Sequence, residues 1–110
     1  MSLESTDYLI DLLQELDDKF VVNSVDHPDG TRTHLDDLGS AAYEMAAQII
    51  DVAGSATLNM RTPLGDTHLV SIKLRSNDDT GLWDVYFEAG NKSDELNINH
   101  IIGELKEIYG

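Results

Sequence analysis

Three stretches of this sequence alternate between apolar and polar side chains residue by residue, and that period of two constrains the chain more tightly than any other feature. "SATLNMRT" sets Ala56, Leu58 and Met60 against Thr57, Asn59 and Arg61. "THLVSIKLR" sets His68, Val70, Ile72 and Leu74 against Leu69, Ser71, Lys73 and Arg75. "LWDVYFEA" sets Trp83, Val85, Phe87 and Ala89 against Asp84, Tyr86 and Glu88. Such a period belongs to a strand with one face buried and the other wet. The joins, "PLGD" and "SNDDTG", are short and rich in turn formers. The three strands therefore follow one another as an antiparallel meander.

A one-faced sheet needs a cover, and the flanking segments supply it. In "STDYLIDLLQELDDKF" the residues Tyr8, Leu9, Leu12, Leu13, Leu16 and Phe20 recur at helical spacing, with Ser5 or Thr6 as the expected cap and Asp7 in the first turn. "FVVNSVDHPDGTRTHL" reads as a hairpin towards a sheet edge: Val21, Val22 and Val25 favour strand, Pro28-Asp29-Gly30 favours a bend, and Gly30 supplies its positive φ. A second helix follows, capped by Asp36 or Asp37 and stopped by Gly54. The chain closes on "SDELNINHIIGELKEIYG", capped by Ser93 or Asp94, with Leu96, Ile101, Ile102, Leu105 and Ile108 as its apolar stripe and Gly103 as a weak point. The sequence thus predicts one α+β domain over 1–110, a five-stranded antiparallel sheet with three helices in the order α-β-β-α-β-β-β-α.

Charge and composition exclude several classes of function. With 21 acidic against 7 basic residues the net charge is −14, and no Lys/Arg cluster is available to neutralise phosphates, which argues against nucleic acid and anionic membranes as partners. The absence of cysteine removes disulfides, thiolate metal sites and thiol catalysis. No apolar run is long enough to span a bilayer and "MSLESTDYL" lacks a basic leader region, so the chain reads as soluble and cytoplasmic. Aspartate outnumbers glutamate two to one, which fits either a salt-tolerant host or plain solubility.

The chemistry-bearing residues form no complete set. Glycine-rich phosphate loops are absent, and the calcium-loop pattern fails around both Gly30 and Gly81, where Val25 and Phe87 stand at ligand positions. His27 and His34 flank the hairpin bend and form a zinc pair only if they meet across it; exposed turn histidines are the plainer reading. His68 shares the apolar face of its strand, as a half-buried, hydrogen-bonded histidine would. No serine sits in a nucleophile elbow. The expectation is a non-enzymatic protein with no cofactor and no metal.

The middle helix, "LDDLGSAAYEMAAQIIDVAGS", is apolar around most of its circumference, more than one core contact requires. Leu38, Ala41, Ala42, Met45, Ile49 and Ala53 suffice to cover the sheet. Tyr43, Ala46, Ala47 and Ile50 then face either another helix of the same chain or a partner subunit, with Tyr86 contributing an aromatic to the contact surface.

The element order, the Asp29-Gly30 hairpin, the alanine-rich "LGSAAYEMAAQIIDVAGS" and the meander after it resemble the roadblock/LC7 family over about Asp7 to Tyr109. The resemblance implies a profilin- or longin-like α/β sandwich that homodimerises through the middle helix and an adjoining strand. It also implies a dimeric adaptor or regulatory module acting on a small Ras-like GTPase or a motor complex. A small acidic secretion-chaperone-like protein and a ligand-binding α+β sandwich are the alternatives; in the chaperone three strands would precede the middle helix, and the sandwich needs an interior pocket.

Overall fold

The period-two runs become strands whose bounds fall close to those read from the sequence. In a computed structural model, which describes residues 3–62 and 65–109 and side chains over 6–62 and 70–109, the elements are α1 (Leu3–Lys19), β1 (Val21–Asp26), β2 (Arg32–His34), a 3-10 turn (Gly39–Ala41), α2 (Ala42–Ala53), β3 (Ser55–Thr62), β4 (Gly65–Asn77), β5 (Leu82–Ala89) and α3 (Lys92–Tyr109). All strand pairings are antiparallel, in the spatial order β2-β1-β3-β4-β5. The α+β class and the element order match the expectation. Gly65, Asp66, Ser76 and Asn77, expected in turns, extend β4 at both ends.

Every fully buried strand residue lies on one face of the sheet. Val22 and Val25 of β1, Leu58 and Met60 of β3, and Val70, Ile72 and Leu74 of β4 meet Leu9, Leu12, Leu13 and Leu16 of α1, Ile50 of α2, and Ile98, Ile101 and Leu105 of α3 in one core. The molecule therefore has two layers, with all three helices on one face and α1 between α2 and α3. At its far end Tyr109 of α3 stacks edge-on with Tyr8, ring centroids 5.4 Å apart, and its hydroxyl donates to Asp11. The side chain of His68, expected to be half-buried in β4, lies outside the described residues.

A one-residue irregularity makes β1 fit. Val22 and Val25 are three apart, so strict alternation would send them to opposite faces. The register shifts between Val22 and Ser24, absorbing Asn23 as a bulge, and both valines reach the core. The hairpin bend is closed by Asp29, whose Oδ1 accepts from the Thr31 backbone N–H (2.9 Å) and hydroxyl (2.7 Å), with Gly30 at φ 92°.

Helix ends differ from the expected caps. α1 begins at Leu3, upstream of Ser5 and Thr6. Asp36 and Asp37 do not cap α2, because the 3-10 turn intervenes and Ala41 stands at the cap with no side-chain bond. Gly54 does end it, at φ 77°. In α3 the cap is Asn91, whose Oδ1 accepts from the Asp94 N–H at 2.9 Å while its amide donates to Asp94 Oδ2 at 2.8 Å. The helix runs unbroken through Gly103, and its buried stripe is Ile98, Ile101 and Leu105, leaving Leu96 and Ile108 exposed.

Candidate functional site on the second helix

The apolar excess of α2 is real, but its two sides are the reverse of those assigned from sequence. Ala42, Ala46, Ala47 and Ile50 face inward, and the alanines let α1 approach closely. Ala46, Ala47 and Ile50, expected at a partner interface, are therefore core residues of this chain. Tyr43 is half-buried beside them. Of the residues expected to cover the sheet only Ala42 is buried, while Leu38 and Met45 are more than two-fifths exposed and Ile49 is half-buried. Val52 is 89% exposed. Periodicity showed that the helix has too much apolar surface; it held no signal for which side α1 would take.

The outward apolar surface is a ridge. Met45, Ile49 and Val52 recur at i, i+4 and i+7, on one side of α2, and together with Gln48, Ala53 and His27 they line a shallow groove. Leu38, in the segment before the helix, is also exposed. His27 is fixed by Thr33, its Nε2 2.7 Å from the Thr33 hydroxyl. His34 stands across the ladder from Ser24, whereas His27 lies beyond the last rung of that ladder, beside the bend.

On its other flank α2 forms a cleft of about 250 Å³ with α1, lined by Thr6, Leu9, Ile10, Tyr43, Glu44, Ala47, Gln48 and Asp51. Asp51 Oδ1 is buried and accepts no hydrogen bond among the described residues. Tyr43 donates to Glu44 at 3.4 Å, and burial together with the carboxylates of Glu44, Asp17 and Asp18 raises its phenol pKa. Both charged groups lining this cleft are carboxylates, so it presents negative charge above an apolar wall.

Tyr86, expected beside Tyr43, lies on the other layer. It is 63% exposed on the open face of the sheet, opposite Lys73. That face is a polar lattice. Asn59 donates from Nδ2 to Ser24 Oγ and to Asp26 Oδ2, each at 3.1 Å, and Arg32 Nε binds Asp26 Oδ1 at 2.6 Å. By alternation Arg32, Arg61, Lys73 and Arg75, four of the chain's seven basic residues, stand on this face with Asp26, Asp84 and Glu88. The helical layer consequently carries most of the acidic excess. Among the described residues no three His, Asp or Glu side chains gather as a metal site, and no helix is long and apolar enough to cross a membrane.

No protein-family model matches the sequence, and neither a curated protein nor a solved structure matches it significantly.

Proposed function

We propose that this chain is a non-enzymatic adaptor whose partner-binding surface is the outward ridge of α2. One observation carries the reading. A chain of net charge −14 keeps an aligned apolar strip, Met45, Ile49 and Val52, on the solvent side of a helix whose opposite side already fills the core. Contiguous apolar surface on an otherwise charged protein is characteristic of protein-contact sites. The groove beside the ridge is shallow and lined mainly by aliphatic groups, which suits the apolar face of another protein's helix better than a small polar ligand.

A photoreactive phenylalanine analogue at Val52 tests this in the native host. Discrete covalent adducts are expected from position 52 and none from a control at exposed Glu107. Glu in place of Met45 should abolish them while leaving the circular dichroism spectrum unchanged. Adducts that form equally from Glu107, or that survive Met45→Glu, would overturn the reading. The roadblock/LC7 likeness adds small Ras-like GTPases as a partner class, which mass spectrometry of the adducts identifies directly.

A further inference from the structure

The two edges of the sheet are built differently. β2 is three residues long, and its Arg32 is tied to Asp26 of β1. β5 is eight residues long, and its ladder with β4 runs without interruption from Val70↔Ala89 to Asn77↔Leu82. It contains no proline, no lysine and no bulge, and among the described residues no strand flanks its outer side. Short strands, prolines, lysines and bulges are among the usual means of blocking edge pairing, and β5 has none of these; its charged side chains are Asp84 and Glu88.

The side chains of β5 also leave cover to be completed. On the helix-facing row Trp83 is buried, but Val85 and Phe87 are only partly covered, and a groove of about 210 Å³ runs beside the strand, lined by Trp83, Asp84, Val85 and Tyr86 of β5 and by Tyr8, Ile102 and Lys106 of the helices. On the open row Asp84 lies opposite Arg75, Tyr86 opposite Lys73, and Glu88 opposite Ser71. Local charge is thus close to balanced along this edge of a chain at −14, so two copies meeting here repel less than across the acidic helical layer.

We infer that β5 pairs antiparallel with β5 of a second copy, making one continuous ten-stranded sheet about a two-fold axis. Side-chain chemistry selects the register. An axis through Tyr86 sets Asp84 against Glu88 twice, placing like charges directly opposite. An axis through Val85 sets Val85 against Val85, Trp83 against Phe87, and Asp84 against Tyr86. The aromatic pairs then extend the core row across the axis, and each tyrosine hydroxyl comes within reach of a carboxylate acceptor. An axis through Asp84 sets that carboxylate against its own copy, and one through Phe87 removes Trp83 and Asp84 from the pairing, which leaves Val85 as the centre. Such an isologous contact closes on itself and leaves no edge of this length open. It is separate from the outward ridge of α2, a helix whose inner side contacts chiefly β1 and β3 of the sheet.

The full chain is cysteine-free, so Val85→Cys introduces its only thiol, directly at the axis. Mild oxidation should cross-link two such chains into a disulfide dimer, because directly opposed residues have Cα separations within disulfide range. Glu88→Cys is the control, since its two copies would stand six residues apart along the strand, about 20 Å. Sedimentation of the unmodified chain should give twice its 12.2 kDa mass. Tyr86→Glu, which sets acid against Asp84 at an exposed site, should weaken association at least about tenfold with an unchanged circular dichroism spectrum. A monomer at near-millimolar concentration overturns the inference. So does a dimer that Tyr86→Glu leaves intact, or one in which Glu88→Cys cross-links as readily as Val85→Cys. Failure of the α2 photo-cross-link bears on none of these readings.

Discussion

Single side chains carry two consequences. Asp26 and Asp29 in the hairpin both have pKa values below the ordinary carboxylate value. Asp26 is lowered by its bond from Arg32 and then from Asn59, Asp29 by its bonds from Thr31. An acid with a depressed folded pKa contributes stability above its unfolded value, near 4, and loses it as pH falls through the folded one. Hairpin amides should therefore lose hydrogen-exchange protection as pH drops below about 4, before those of β3 and β4, and Asp26→Asn should flatten that dependence. Equal loss across the sheet would sink the idea. Ala46 gives the second consequence. It is fully buried under α1, so Ala46→Arg puts an unpaired charge in the core, at a cost of several kcal/mol. The chain should unfold in circular dichroism, whereas the same change at Val52 should leave it folded.

Among the elements, α3 shows how sequence rules weigh against tertiary context. Gly103 argues for a break, yet the helix continues, because Ile98, Ile101 and Leu105 anchor both sides of it. A Cβ at Gly103 would meet nothing within 4 Å. Gly103→Ala should then raise stability by about 0.5–1 kcal/mol in urea unfolding, with an unchanged slope. Asn91→Ala should lower it by about 1 kcal/mol by removing the cap. The strands were the most legible part, because an alternating run with a meander on both sides has only one way to face a core. β1 was less so: nothing in "VVNSV" announces that Asn23 bulges, and the bulge is a response to the pairing with β3. The faces of α2 were illegible for a related reason. With Ala, Met, Ile and Val on nearly every side, the helix fits two orientations, and the choice belongs to the leucine face of α1. Element order also says nothing about which face of the sheet each helix takes, so a likeness resting on that order left the two-layer arrangement open.

At the scale of the whole molecule, charge opposes compaction. The chain measures 37 × 29 × 23 Å and carries −14, most of it on the helical layer. At about 0.01 M salt the screening length is about 30 Å, comparable to the molecule; at about 1 M it is about 3 Å. Melting temperature should rise over that range, by about 4–8 °C for each kcal/mol of repulsion relieved, and scanning calorimetry in sodium chloride will show it. A flat or falling curve would mean that the acids are already compensated locally. The contact of Tyr8 with Tyr109 bears on the order in which the chain can fold. β3, β4 and β5 pair with one another in chain order and form a unit of 35 contiguous residues, Ser55–Ala89, whereas β3 meets β1 across a longer stretch of sequence. The α1–α3 contact instead spans almost the whole chain, from Asp11 to Tyr109. Closing a long loop costs entropy that its contacts recover only afterwards. In pulse-labelled refolding the meander amides should gain protection first, and α1 should dock last, as the step that seals the core.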